Sequence, residues 1–396
     1  MHSMLRINPE QGANSAMRVC HIGFNYFPGQ GLTIFYEFAR HQAALGIEVA
    51  VVAPGRTGEP EREQDGGMTI FRVPTPSLGR FSGDRLRFLW KAAGIMRRHP
   101  ADLVHLYAFV GAGLLPWLAG RHKALWLYDC QTSAIKPPLL WLQNWLIRLE
   151  SYSFDAVTAL SAGIRDIVFG QHRVVEAIVP LGADLEHFQP RPPDPELMTR
   201  LGIATEDCVL AYCGTLDHNR KMEKLLAAFA VTAAQEPAAS LLIVGDGSAL
   251  EELKAQAREL KLENRIIFTG FVPYREIPDY LAVAGVALAF ISMDACFEHQ
   301  PPTKTAEYLA EGLPVIATDT AGNRVFVQHE VNGLLCGDDA RTYGQVMLDL
   351  VRDPSRRRQL ASNARPSVLT FDWAAIVRAQ VVPLYERLLR DRRRDM

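Results

Sequence analysis

The 396-residue chain reads as an α/β protein of two similar halves, each a parallel sheet flanked by helices. Short apolar runs of strand type alternate with helical patterns along nearly the whole length. The alternation starts afresh after a Pro-rich, charged stretch, RPPDPELM, at 191–198. Strand, helix, strand in succession implies parallel pairing, because a parallel neighbour needs a crossover long enough to be a helix.

The first half opens with MRVCHIG at 17–23, a strand, followed by a loop with Pro28, Gly29 and Gly31 and a helix through Ala44. Gly29 and Gly31 let backbone N–H groups face an anion at that helix start. Ile34 stands where a dinucleotide fingerprint has its third glycine, which argues against a nicotinamide or flavin site. IEVAVVAP, TIFRVP, ADLVHLYAF, ALWLYDCQ and DAVTALSA continue as strands. Two amphipathic segments, DRLRFLWKAAGIMRRHP at 84–100 and PPLLWLQNWLIRLESYSF at 137–154, mix Trp, Leu and Phe with Arg or Lys. That composition suits a membrane surface or a lipid-bearing substrate, or a helix packed on the sheet with a charged outer face.

VVEAIVPLGADLEHFQP at 174–190 ends the half as a strand and turn. The second half repeats the grammar through CVLAYCGTL, SLLIVGDG, ENRIIFTGFV, VALAFIS, LPVIATDT and NGLLCG, with helices such as MEKLLAAFAVTAAQ and ALEELKAQAREL between them. The organisation is therefore a disordered leader at 1–16, a first domain at 17–190, a second at 191–372, and a closing helix with a basic tail at 373–396. That tail carries Arg387, Arg390, Arg392, Arg393 and Arg394, either as solubilising charge or as an attraction to anionic lipid.

Composition narrows the function classes. With 48% hydrophobic and 22% charged residues and a formal charge of −2, the chain has no global basic field, so nucleic acid is disfavoured as its partner. The six cysteines show no C-x-x-C pair and no zinc-ligand spacing; several lie in apolar runs and read as reduced core thiols of a cytoplasmic protein. No apolar run reaches the ~18 residues of a membrane span, and the first residues lack a secretory signal's apolar region.

The chemistry gathers in loops that open helices. Arg220 and Lys221 stand at a helix start, where two cations and free N–H groups suit a diphosphate. Lys304 occupies a second such loop. Glu307, about a turn into the helix that follows, suits the two hydroxyls of a ribose; Glu311, four residues on, reads as a solvated helix end. Glu298 and His299 are placed to act as acid, base or sugar ligand. No two Asp are separated by a single residue, so a metal-bridged diphosphate is not expected, and Arg220, Lys221 and Lys304 are left to supply the neutralising charge.

These stretches, in this order, resemble the GT-B glycosyltransferases and within them glycosyltransferase family 4, from Met17 onward. The residues that carry the resemblance are FPGQGLTIFYEFARHQAALGIEVAVVAPG, VPLGADLEHFQP, YCGTLDHNRKMEKLLAAF, LLIVGDG, IIFTGFVP, PPTKTAEYLAEGLPVIAT and NGLLCGDD. The resemblance implies two Rossmann-like domains with parallel sheets facing across a cleft, the second holding a nucleotide-diphosphate sugar and the first an acceptor. It implies transfer of a hexose to a hydroxyl of a sugar, lipid-linked or small-molecule acceptor with retention at the anomeric carbon, and no cofactor. Arg220 and Lys221, with Glu298 and His299, are the implied catalytic residues; Gly29, Gly31, Gly214, Phe271, Val272, Pro302, Thr303, Lys304 and Glu307 would bind the donor. The family pattern has two Glu eight positions apart, and counting back from Glu307 reaches His299, with Glu298 one place off. Gln300-Pro301-Pro302 replaces the usual Gly-Phe-Gly segment, and Tyr128-Asp129 stands where a His-Asp usually serves the acceptor side. The same fold also serves nucleotide-sugar epimerases, and the altered sugar loop admits a non-catalytic sugar-binding subunit.

Overall fold

The computed structural model describes residues 17–27, 33–75, 78, 83–134 and 139–395. The leader at 1–16 and the loop glycines Gly29 and Gly31 lie outside them. The first sheet comprises β1 (Arg18–Ile22), β2 (Glu48–Gly55), β3 (Arg62–Asp65), β4 (Met68–Pro74), β5 (Leu103–Tyr107), β6 (Leu125–Cys130), β7 (Ala156–Ala159) and β8 (Ala177–Ile178). Their order across the sheet is β3-β4-β2-β1-β5-β6-β7-β8. β1 pairs in parallel with both β2 and β5, Val19 lying opposite Val49 and Leu103.

The edge strand β3 departs from the parallel plan. β3 pairs antiparallel with β4, and the two are joined by Gly66 and Gly67, both at positive φ (54° and 82°). A two-residue hairpin loop with both central residues left-handed matches the twist of its strands, and glycine adopts that conformation without a Cβ penalty. β3 reads REQD, exposed apart from partly buried Glu63, so no apolar alternation announces it.

The second sheet comprises β9 (Cys208–Cys213), β10 (Ala239–Val244), β11 (Ile266–Gly270), β12 (Val286–Ala289), β13 (Val315–Thr318) and β14 (Gly333–Cys336). Its order is β11-β10-β9-β12-β13-β14, every pair parallel. Both faces are covered, so the strands are near-continuous apolar runs. Leu210, Leu241 and Ile243 join Phe229 and Met347 on one face; Ala211, Leu242 and Val244 join Ala306 and Leu309 on the other. The chain winds outward from β9 through β10 and β11, then returns to β9's other side as β12. The carboxyl ends of β9 and β12 are therefore the switch point, where open α/β sheets leave a crevice.

By compactness the chain divides into one unit of the chain up to Tyr128, Ser153–Asp155 and Tyr385 onward, and another of Asp129–Tyr152 and Ala156–Leu384. Within the first, a buried polar chain threads the sheet. His21 bonds Tyr107 through Nδ1 and Gln42 through Nε2, both at 3.0 Å, and Gln42 donates to the Tyr385 hydroxyl at 3.3 Å. His105 Nδ1 closes on the same hydroxyl. No helix among the described residues is long and apolar enough to cross a membrane.

Candidate active site

The crevice at the ends of β9 and β12 is built by close backbone approaches. Gly214 follows β9; a Cβ there would meet the Tyr212 hydroxyl at 3.1 Å and Lys304 Nζ at 3.6 Å. Gly245, after β10, lies so near that its Cβ would stand 1.9 Å from the Gly214 carbonyl oxygen, a contact only glycine permits. Beyond Gly214 the chain makes a 3₁₀ turn, His218–Arg220, and leaves it through Lys221 in a left-handed conformation (φ 52°, ψ 43°).

Three cations were expected here, and the structure gives them different surroundings. The Arg220 guanidinium lies 5.0 Å from the Phe297 ring centroid and has no carboxylate partner among the described residues. Lys221 reaches away to Asp294, Nζ to Oδ2 2.9 Å. The pair raises the lysine's pKa and holds the Asp294 carboxyl below its usual range. Lys304 Nζ sits 3.9 Å from the Tyr212 ring centroid and donates to the Phe290 carbonyl at 3.4 Å. Burial, then the facing charge of Arg220, pulls its pKa down to about 7. Two cations thus face one partly dry space; neither makes an ion pair among the described residues, and the Glu307 charge acts on Lys304 in the opposite sense to Arg220.

Lys304 belongs to the helix Thr303–Ala310, whose N-cap is Pro302 and whose start has no side-chain cap. The first-turn N–H groups of such a helix and its dipole favour an anion. Glu307 accepts a hydrogen bond from the Tyr274 hydroxyl at 3.2 Å, and Tyr274 stacks with His187 at 5.3 Å. Phe271 is 57% exposed, whereas Val272 is buried in the apolar core and has only its backbone to offer a ligand.

The loop before this helix is fastened to the rest of the unit. Glu298 Oε1 accepts from Ala321 N–H at 3.0 Å, and its carbonyl accepts from Gly322 N–H at 2.8 Å. The His299 carbonyl accepts from the Ser161 hydroxyl at 2.8 Å, while its ring packs so closely on Gly163 that a Cβ there would come within 2.3 Å. Tyr128 and Asp129 do not line an open surface: Tyr128 packs on Phe154, and Asp129 accepts from Thr158 at 2.8 Å and Gln131 at 2.9 Å.

Two features escaped the sequence. The Tyr308 hydroxyl accepts from Cys213 N–H at 2.7 Å and donates to Cys213 O at 3.1 Å, pinning the helix to the end of β9. Only its place beside Glu307 hinted at this. Glu311, read as solvated, is buried instead, with Arg191 3.9 Å away. Burial lifts its carboxyl to about 8, because the short helix ends against the 185–191 segment rather than in water. The cysteines are all free, with Cys20, Cys130 and Cys336 buried and Cys208, Cys213 and Cys296 partly so. Among the described residues no three His, Cys, Asp or Glu gather as a metal site.

Two sheets of mainly parallel strands flanked by helices give the chain the architecture of the GT-B glycosyltransferases. The family model described as "Glycosyl transferases group 1" matches residues 194–367, and "Glycosyl transferase 4-like domain" matches 31–182. The chain belongs to this family-4 type of glycosyltransferase and is an enzyme of that class. It is 26% identical over 314 residues to the alpha-monoglucosyldiacylglycerol synthase of Streptococcus pneumoniae, covering 74% of this chain and 69% of that one. Among solved structures, sucrose-phosphate synthase from Thermosynechococcus elongatus superimposes with a TM-score of 0.76 at 19% identity, over 95% of this chain and 100% of that one. Anabaena Alr3699/HepE in complex with UDP gives 0.74 at 19% identity, over 93% and 100%.

Proposed function

We propose that the enzyme transfers a hexose from a nucleotide-diphosphate sugar to an acceptor hydroxyl, with retention and without a metal. The convergence of Arg220 and Lys304, two cations that make no ion pair among the described residues, carries this reading. A diphosphate placed there relieves their repulsion and accepts from the N–H groups of the Thr303–Ala310 helix. As the bond from the anomeric carbon to the phosphate oxygen breaks, negative charge grows on the diphosphate, and the two cations stabilise it where it develops. The acceptor oxygen forms the new bond on the same face, and its proton passes to the departing phosphate oxygen, so no enzymic nucleophile is needed. Glu307 holds the ribose hydroxyls, and Phe271 lies beside the base. Lys221, paired with Asp294, holds the 218–221 turn in place.

A UDP complex of a structural neighbour supports a nucleotide donor here. The acceptor is a sugar, a lipid-linked sugar or a small molecule. Exposed Leu86, Trp90 and Trp117, set among Arg and Lys, fit peripheral contact with the cytoplasmic membrane face. Thermal shifts with UDP, GDP, ADP and their sugars test donor binding, since a native-state ligand raises stability by mass action. Arg220→Ala is expected to cut turnover by about 10²–10³ with weaker nucleotide binding, the scale of losing one transition-state donor. Unchanged turnover overturns the role of Arg220; activity lost in EDTA and restored by Mg²⁺ overturns metal independence.

A further inference from the structure

A cavity of ≈400 Å³ opens on the helix Leu140–Ser151 and reaches the Asp294–Phe297 turn. Its size lies within the ~300–1,000 Å³ typical of small-molecule sites. The helix was expected to pack on the sheet or to serve a lipid, and it buries only Ser151. Trp141 and Trp145, four residues apart and so on one face, are 70% and 43% exposed and line the cavity with Ile167. Two indoles left in water beside a concave apolar wall are a surface awaiting an occupant, and the concavity sets its shape as a chain or ring rather than a flat partner.

Charge selects the occupant further. Arg148 stands in the cavity wall, and its guanidinium makes no hydrogen bond or ion pair among the described residues. A cation on an apolar wall matches a ligand with an anionic group next to its hydrocarbon part. The cavity also touches the donor cradle through Cys296, whose turn holds Lys221 through Asp294 and supports Arg220 through Phe297.

We propose that this cavity binds the apolar portion of an anionic amphiphilic acceptor, its chain between Trp141, Trp145 and Ile167 and its anionic group at Arg148. Its role as an acceptor subsite rests on the donor reading above; its ligand chemistry rests on the cavity alone.

Cys296 supplies a readout independent of turnover. In the full-length enzyme, decyl phosphate is expected to slow alkylation of Cys296, followed by peptide mass spectrometry, at concentrations about tenfold lower than decyltrimethylammonium requires. Inorganic phosphate is expected to have no effect. Arg148→Gln should erase the preference between the two amphiphiles while leaving protection, and Trp141→Ala with Trp145→Ala should weaken protection by both. Equal protection by the two amphiphiles, protection by inorganic phosphate, or protection that survives loss of both indoles would each overturn the proposal. UDP affinity, measured on the same proteins, separates the two ideas. Wild-type UDP binding without Cys296 protection refutes the cavity alone, and protection without UDP binding refutes the donor reading while supporting the cavity.

Discussion

Nucleotide binding should carry a proton with it, and the amount follows from one side chain. Lys304 has a pKa of about 7 in the free protein, set first by burial and then by Arg220. A diphosphate between the two cations offsets both the burial and the repulsion with opposite charge, so the bound state is expected to hold Lys304 protonated at pH 8. At pH 8 a group of that pKa is about nine-tenths neutral, so binding takes up about 0.9 proton per nucleotide; at pH 6 the uptake falls to about 0.1. Affinity should accordingly weaken with rising pH above 7, by at most about tenfold per unit. Calorimetric titration of UDP at pH 8 in buffers of different ionisation enthalpy reads the uptake directly. Lys304→Met keeps an unbranched chain against Tyr212 and removes the titrating group, so its uptake should vanish. An uptake below about 0.2 in the native enzyme, or one that persists in Lys304→Met, refutes the reasoning.

Glu307→Ala should weaken UDP by roughly 1.5–3 kcal/mol, the scale of hydrogen bonds to a charged group, and leave the affinity for 2′,3′-dideoxy-UDP unchanged. An equal loss for both ligands would take Glu307 off the ribose. Tyr308→Phe leaves the partly buried Cys213 N–H and carbonyl without their partner and should lower unfolding stability by about 1–3 kcal/mol in denaturant titrations; a neutral effect would mean the strand end relaxes freely. Glu311 has its folded pKa raised to about 8, so the native state binds more protons than the unfolded one between the ordinary carboxyl range and pH 8. Its contribution to stability therefore falls as pH rises through that window, by at most about 1.4 kcal/mol per unit. Glu311→Gln should flatten the profile there, and a variant that follows the native curve across it would place the charge in water.

The parallel sheets were legible because burial on both faces writes itself into the sequence as apolar runs, as in CVLAYC and ASLLIV. β3 was not, because an exposed edge strand reading REQD owes its conformation to pairing with β4 and to the Gly66-Gly67 turn. Lys304 and Glu307 could be placed by spacing because both ride one helix behind one loop. Partners distant in sequence could not: Lys221 finds Asp294 across 73 positions and Tyr308 finds Cys213 across 95, contacts that the sheet's winding creates and no local pattern records.

The same distinction bears on the segment from Glu298 to Pro302, where the sequence differs from the motif of the family it resembles. The Glu298 carboxylate is held by the Ala321 N–H and the His299 carbonyl by Ser161, while Gly322 fits against the Gln300 carbonyl with no room for a Cβ. A loop fixed at three successive residues gives up side-chain reach and gains a rigid backbone surface. Shape at Gln300-Pro301-Pro302 would then discriminate among donor sugars more than an acid–base contact from Glu298. Substituting Gly322 by Ala forces that backbone apart and should change the ratio of turnover between two donor sugars of one nucleotide, with UDP affinity kept. A ratio identical to the native enzyme's, with the loop displaced, would show that the sugar is read elsewhere.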